Sequence, residues 1–507
     1  VGRKKSLDWL NVLDFKRAMA NVEGDLVGDW CIDPWGWPEL RWLVEPAQAR
    51  LLLGLVRRRK PGVLARLDVP KENFGVRPAT VMHVADRLVY QALVDRLAVP
   101  LIGDLAPTVF NWRLERHAPR AGTYLKSGEE WDRYRAWLQE SLERHPNWLL
   151  QTDIVSCFAR ISMRVVEETL ETRRVGGSEP ASKILAWLET WDRTPGRGGL
   201  PQRSRASAAL ANACLRAVDD VLAQTPAGGR WMDDISVFAS SEADARRHQL
   251  RLNDVVREMG LELNSAKTAV LAEDDAAAEV LELELRTIAY ALTERDDPTP
   301  LHQRLEEIEA SPSEQPRTVL NFVCSRIIEH KLVDEAERIL AIVDRVPHAA
   351  DHAARMAQML ELHHGRSGWF TGYYGSQFAR VRWAPGRLLL MFPSSERPEP
   401  ALIDLAVAAL SEVGVGPVML AAAATRLVGW LERDAVDLLR AAIEKSETAL
   451  DTRVLAMAAL SAGESHARVA RQIGRFDDLA TTSKYLEATD YRTPRLHRSF
   501  GAGEAAD

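Results

Sequence analysis

The pattern of apolar and polar positions divides the chain near residue 275. Before it, strand and helix patterns alternate. Leu149-Leu150-Gln151-Thr152-Asp153-Ile154-Val155 predicts a strand that runs into an acid. Residues 203–224 predict an Ala/Leu-rich helix, and residues 230–239 (Arg-Trp-Met-Asp-Asp-Ile-Ser-Val-Phe-Ala) predict a tight hairpin with two acids at its tip. A further helix opens with the capping-box pair Ser241 and Asp244. It keeps helical spacing through Leu252, Val255, Val256 and Met259 and stops at Gly260. The first 150 residues mix short helical patterns with Pro and Gly punctuation.

After residue 275 strand signals nearly vanish. Amphipathic Ala/Leu-rich patterns predict helices over 316–330, 332–345, 350–363, 401–413, 417–431, 434–445 and 451–461. Residues 366–393 interrupt them with Trp369, Phe370, Tyr373, Tyr374 and Trp383, and a short hairpin is expected there. No fixed-period repeat is evident, only loosely similar helix pairs, so an irregular helical-repeat or bundle domain is expected.

A chain of 507 residues exceeds one compact domain. Its 46% hydrophobic and 27% charged residues exclude a mainly disordered protein. No apolar run reaches membrane-spanning length, and no apolar stretch follows the opening Val-Gly-Arg-Lys-Lys, so a cytoplasmic protein without a signal peptide is expected. Cys31, Cys157, Cys214 and Cys324 lie far apart and form no CxxC pair, which argues against a structural zinc site and for a reducing cytoplasm. Charge is unevenly spread. Residues 1–270 carry 39 Lys and Arg against 35 Asp and Glu, whereas 271–507 carry 26 against 37. The first part therefore leans towards a polyanion and the second away from one.

Asp153 at a strand end and Asp233-Asp234 at a hairpin tip are acids that one sheet can bring together. Clustered carboxylates repel, so such a group persists when cations neutralise it. Two hard divalent ions about 3.5–4 Å apart, bridged by carboxylates, are the machinery of nucleotidyl transfer.

Over about residues 70–270 the sequence resembles reverse transcriptases. Thr152-Asp153-Ile154-Val155-Ser156-Cys157-Phe158 is similar to motif A. Gly199-Leu200-Pro201-Gln202-Arg203-Ser204, continuing to Leu210-Ala211-Asn212, is similar to motif B. Trp231-Met232-Asp233-Asp234 resembles motif C, with Trp for the usual Tyr or Phe. Gly260-Leu261-Glu262-Leu263-Asn264 with Lys267-Thr268 resembles motif D. The order and spacing of all four carry the resemblance. It implies an α+β fold: right-hand fingers and palm with an antiparallel palm sheet, then an all-α helical-repeat domain. The expected division is 1–150 for the N-terminal region and fingers, 151–274 for the palm, and 275–507 for a helical domain that replaces or extends the thumb.

The resemblance implies an RNA-directed DNA polymerase with two Mg2+ ions, or Mn2+ as a substitute, held by Asp153, Asp233, Asp234 and the Ile154 carbonyl. Lys267 would sit near the triphosphate as charge neutraliser or as acid for pyrophosphate. Phe158 stands where the family places its steric gate, so dNTPs are the expected substrate; an ordinary core aromatic is the alternative. Gln202 would line the nascent base pair. Arg77, Arg87 and Arg113 would meet template or triphosphate phosphates, or else form helix-surface salt bridges. Arg203 and Arg205 replace the family's usual Gly and Pro and add two positive charges. That loop is expected to grip a phosphate backbone differently from a general copying enzyme. Arg57-Arg58-Arg59-Lys60 is a further basic cluster that suits a polyanion or a solvated helix end.

Within the family the resemblance is to bacterial abortive-infection and defence-associated enzymes. The segment ending in Arg113-Leu114, its spacing to motif A and the long helical region carry it. It implies antiphage defence, DNA made without conventional copying or primed from a protein hydroxyl, and a homo-oligomer. Partners would be dNTPs, a DNA product and an RNA template or non-coding RNA, with no membrane. Tyr373, Tyr374, Tyr485 and Tyr491 are priming candidates or packing residues. A retron signature is lacking, because Asn212-Ala213 is followed by Cys214, Leu215 and Arg216 without His. Two other readings stay open: an RNA-templated copying enzyme of a mobile element, and a palm-shaped binding module acting through its helical half.

Overall fold

The computed structural model describes residues 12–58, 60–62, 64–115, 122–145, 147–193, 198–489, 496–497 and 499–500. Residues 1–5, Arg59 of the basic cluster and Tyr491 lie outside them.

Helices α1 (Phe15–Leu26), α2 (Pro38–Leu43) and α3 (Ala49–Arg58) precede a hairpin of β1 (Ala65–Pro70) and β2 (Val76–Val81). Then come α4 (Val84–Ile102), β3 (Val109–Phe110), α5 (Ser127–Arg144) and β4 (Trp148–Asp153). Five helices follow before the expected hairpin, the first four being α6 (Cys157–Arg160), α7 (Met163–Thr172), α8 (Glu179–Asp192) and α9 (Arg205–Cys214). The helix expected over 203–224 breaks at Leu215 into α9 and α10 (Arg216–Leu222), and the second piece carries Asp219 to Arg230. The hairpin is β5 (Ala227–Trp231) and β6 (Asp234–Ala239), joined by Met232 and Asp233. α11 (Glu242–Glu258) opens as expected, with Ser241 Oγ accepting the Asp244 N–H at 3.1 Å, and β7 (Ala269–Ala272) closes the alternating region.

The chain folds into two compact units that interleave in sequence. One comprises residues 1–29, 46–64 and 82–284; the other comprises 30–45, 65–81 and 285–507. At the centre of the first lies α4. It is buried around most of its circumference because α1, α8 and α9 pack on it. Its polar residues are partnered: Asp86 accepts the Gly62 N–H at 2.8 Å, and Gln91 donates to Asp95 at 2.6 Å.

The sheet of this unit runs β3-β5-β6-β4-β7. β4 is antiparallel to β6 with Leu149 opposite Phe238, Gln151 opposite Ser236 and Asp153 opposite Asp234. Alternation places these six residues on one face. One end of that face is apolar: Leu149 and Phe238 join Phe110, Tyr134 and Leu138, with Ala276 and Val280 of α12 (Glu273–Leu281). The acids occupy the other end.

The second unit contains α2, the β1–β2 hairpin and a helical succession: most of α13 (Leu283–Arg295), then α14 (Thr299–Ala310), α15 (Arg317–His330), α16 (Val333–Ala341), α17 (Ala350–Met359), α18 (Ser367–Tyr374) and α19 (Trp383–Leu389). It continues through α20 (Pro400–Ala409), α21 (Pro417–Leu431), α22 (Ala435–Lys445), α23 (Ala449–Ser461), α24 (His466–Ile473) and α25 (Ala480–Ala488). Residues 366–393 form α18 and α19, not the expected hairpin. Their aromatics turn inward at helical spacing, and Phe370, Tyr373 and Trp383 are buried.

Stacking here is next-but-one: α15 on α17, α17 on α19, α19 on α21 and α21 on α23, with α14 on α16 and α18 on α20 beside them. Ion pairs mark the same interval. Arg338–Glu309 (2.7 Å, 29 residues apart), Arg382–Glu412 (2.7 Å, 30 apart) and Arg317–Asp351 (2.6 Å, 34 apart) each join neighbouring helix pairs.

The early segment of this unit is held by Arg453 of α23, whose guanidinium is fully buried. It pairs with Asp33 at 2.5 Å and Glu39 at 2.7 Å and lies 3.6 Å from the Trp37 ring centroid. Removing the cation leaves two buried carboxylates without their countercharge. Arg453→Ala is expected to cost about 3–5 kcal/mol, seen as a lower urea midpoint for this unit; an unchanged midpoint would contradict the assignment.

Candidate active site

Three peptide segments place the acids. Asp153 is the last residue of β4 and faces Asp234 at the start of β6. Asp233 occupies the second position of the two-residue turn, whose first position, Met232, has φ 57°. A positive φ at the first central position suits the right-handed twist of the hairpin and is strained for a residue with a Cβ. The Asp233 carbonyl accepts the Ile154 N–H at 3.3 Å, which ties the turn to the chain beyond β4.

A third segment flanks the pair. Asn264 donates its N–H to the Asp153 carbonyl at 2.8 Å, and Val155 donates to Glu262 at 2.9 Å. These bonds form an isolated bridge between Ile154 and Leu263 and leave the Ile154 carbonyl outside them. The same segment brings Lys267 in, with Nζ 3.1 Å from Asp153 Oδ2. The sequence places Asp153, Asp233, Asp234 and Lys267 in three motifs, and the fold brings those motifs together.

The electrostatics are those of an under-neutralised acidic group. Burial raises the Asp234 carboxyl to about 6, the charge of Asp233 and then of Asp153 adds to it, and Lys267 opposes it. Asp153 Oδ1 is buried and has no hydrogen-bond partner. A buried carboxylate oxygen without a donor, beside two further carboxylates, is the donor set that hard divalent cations take. Cys157, next to this group, is no nucleophile: burial first, then the Asp233 charge, holds its thiol well above the usual range.

Behind the turn lies Arg230, with no exposed side-chain surface. It pairs with Asp219 at 2.6 Å and donates to Asn212 Oδ1 at 2.8 Å and to the Met232 carbonyl at 3.0 Å. Asn212 donates in turn to the Asn111 carbonyl at 3.1 Å. Sequence reasoning passed over Arg230 as a site-supporting residue. The available signal was a cation inside an otherwise apolar strand, adjoining the acids, with Asp219-Asp220 just upstream.

Motif B packs directly on motif A. Leu200 donates its N–H to the Phe158 carbonyl at 2.7 Å. Gly199 has φ +74°, and a Cβ there would lie 2.2 Å from that carbonyl, so only glycine fits. Phe158 is half-buried on α6, and Gln202 is half-buried on the following loop. Arg203 stands where the resemblance expects glycine, and its φ of 55° shows why glycine suits the position. Its side chain is exposed.

The other arginines divide. Arg87 is not poised for a phosphate. It is buried in α4, pairs with Asp29 at 2.7 Å and donates to the Arg203 carbonyl at 2.7 Å, so it braces the motif B loop from inside. Arg113 is likewise buried and donates to the carbonyls of Ala106, Val109 (2.7 Å) and Leu105 (3.1 Å). Both expectations fail for one reason: a buried guanidinium is spent on satisfying backbone or carboxylate oxygens. Arg205 is largely held by Asp25, which accepts its N–H at 2.9 Å and lies 3.2 Å from its Nε, and it covers the Trp112 ring. Arg77 belongs to the other compact unit, on β2, exposed and 5.2 Å from the Trp30 ring centroid.

The proposed priming hydroxyls are also placed. Tyr373 is buried, Tyr374 donates its hydroxyl to Glu412, and Tyr485 packs its ring 5.8 Å from that of Trp42.

Acids on adjacent strands beside a tight turn are thus brought together with a lysine from a third segment. Residues 69–309 match the family Reverse transcriptase (RNA-dependent DNA polymerase). The chain therefore carries a reverse transcriptase domain, and the match indicates RNA-directed DNA polymerase activity. No curated protein matches the chain. No helix among the described residues is long and apolar enough to cross a membrane.

The raised Asp234 carboxyl gives a pH dependence. The native state keeps this proton up to about pH 6, whereas the unfolded chain releases it near 4. Native stability contributed by this group therefore falls as pH rises through that window. In chelator, Asp234→Asn is expected to unfold at higher urea than wild type at pH 8, and to lose that advantage at pH 4. Equal differences at both pH values would refute the assignment.

Proposed function

We propose that this protein is a DNA polymerase of the reverse transcriptase type that joins dNTPs by two-metal nucleotidyl transfer at Asp153, Asp233 and Asp234. The observation that carries this reading is the pairing of Asp153 with Asp234 across adjacent strands, with Asp233 in the adjoining turn and Asp153 Oδ1 buried without a donor. Asp153, Asp233 and the Ile154 carbonyl would hold the cations, with Asp234 beside them. When bound, Mg2+ supplies activation of the attacking 3′-hydroxyl and charge neutralisation at the triphosphate.

The chain's own residues do the rest. Arg230 and Asn212 fix the turn so that the acids need not reorganise during the reaction. Lys267, whose Nζ lies 3.1 Å from Asp153 Oδ2, supplies positive charge and a proton to the departing pyrophosphate. Phe158 excludes a ribose 2′-hydroxyl by bulk. Gln202 faces the nascent pair, and Arg203 offers the motif B loop a charge for a phosphate backbone.

The domain reading stays with the motifs: residues 1–150 as N-terminal region and fingers, 151–274 as palm, and 275–507 as a helical-repeat domain. Its support is the next-but-one stacking and the ion pairs spaced 29–34 residues apart. The biological setting we assign is bacterial antiphage defence by a cytoplasmic homo-oligomer. The motif resemblance and the long helical region after the palm support it. DNA made without a template, or primed from a protein hydroxyl, belongs to that setting. A second reading, an RNA-templated copying enzyme of a mobile element, is favoured by the family match itself. Sequencing the product separates the two: template-matching DNA supports copying, and random or single-base runs support untemplated synthesis.

Purified protein is expected to incorporate dNTPs only with Mg2+ or Mn2+, and Asp233→Asn to lower the rate by about 10³-fold or more. Incorporation that survives this change would remove the mechanism. Phe158→Val is expected to admit rNTPs with little loss of dNTP turnover, measured as the ratio of kcat/KM for the two sugars; an unchanged ratio would return Phe158 to the core.

A further inference from the structure

Hydrogen-bonded side-chain pairs tie neighbouring helix pairs of the second unit together. His302 and Glu335, 33 residues apart, meet at 2.7 Å. His363 and Glu396 repeat this spacing, with Nε2 and Oε2 3.1 Å apart. The second pair differs from the first by an added imidazole. The ring centroids of His363 and His364 are 4.1 Å apart. His363, His364 and Glu396 each place one ligand atom within 4.8 Å of the others, the only such group of three among the described residues. His363 is 9% exposed, whereas His364 and Glu396 face solvent.

The backbone presents both rings together. They lie in the turn between α17 and α18, bounded by Glu361 (φ 56°) and Gly365 (φ 71°), two left-handed residues that reverse the chain within a few positions. Glu396 comes from the segment between α19 and α20. An ordinary ion pair needs one imidazole. A second protonated ring at this distance would repel the first, and a second neutral ring brings another nitrogen lone pair to the same point. Two imidazoles and a carboxylate suit a borderline divalent ion, whereas all-oxygen sets suit Mg2+. Zn–N and Zn–O bonds of about 2.0–2.2 Å require only a small closure of this triad.

We infer that His363, His364 and Glu396 form a Zn2+ site with three protein ligands and a water. It fastens the α17–α18 turn to the segment before α20. Its donors differ in kind from the aspartates of the polymerase centre, so it is independent of the proposed function.

Full-length protein is loaded with ZnCl2, gel-filtered and assayed for metal by mass spectrometry, with Co2+ absorption reporting coordination geometry. One Zn2+ per chain is expected, retained in millimolar Mg2+, retained in Asp233→Asn, and accompanied by a rise in Tm. His364→Ala and Glu396→Gln are expected to weaken binding about tenfold or more, while His302→Ala leaves it unchanged. His364 and Glu396 lie at the surface, so these variants keep the fold, as the Tm without metal verifies. Wild type retaining no more Zn2+ than His364→Ala would overturn the site. So would zinc lost in Asp233→Asn and kept in His364→Ala.

Discussion

The cluster of Asp153, Asp233 and Asp234 depends on holding like charges together, and buried Arg230 anchors the turn that carries Asp233. Three carboxylates at adjoining backbone positions repel, and a two-residue turn with a left-handed methionine is a poor place to absorb that repulsion. A buried guanidinium behind the turn, shared between Asp219, Asn212 and the Met232 carbonyl, anchors the backbone from within the fold. Burial first, then the charges of Asp233 and Asp153 against that of Lys267, raise the Asp234 carboxyl to about 6.

A similar division of labour runs through motif B. Its loop is held from within: Arg87 grips the Arg203 carbonyl, while Asp25 and Gln91 accept the first N–H groups of α9. Asp25 places negative charge where a helix start is positive. Burial nevertheless lifts its carboxyl to about 6, with Arg87 and Arg205 opposing. The N-terminal helix thus supports the loop although it lies some 180 residues earlier in sequence. Gly199, pressed against the Phe158 carbonyl, couples that loop to motif A.

Much of this was legible in the sequence where short-range rules apply. The Ser241 cap, the acids at the hairpin tip and the α21 boundaries follow from local spacing and capping chemistry. The four motifs located Asp153, Asp233, Asp234 and Lys267. What escaped depends on long-range partners. Nothing near Arg87 or Arg113 announces that Asp29 or a set of carbonyls will bury it, and an arginine beside a motif reads the same whether it faces phosphate or core. The aromatics of 366–393 misled for a related reason: strand-prone composition was overridden by burial at helical spacing. The β1–β2 hairpin went unread because Pro70 and Pro78 disguise an edge ribbon.

The next-but-one stacking of the second unit has an evolutionary corollary. Each layer of helices packs on its neighbours, and their buried residues join in one apolar cluster. Duplication or loss of about thirty residues between matching ion-pair positions would keep the helix-on-helix seams to either side, but would break the register of α19, α23 and α25 with residues 30–45 and the β1–β2 hairpin. A change in the length of that array falls outside the unit that carries Asp153, Asp233 and Asp234.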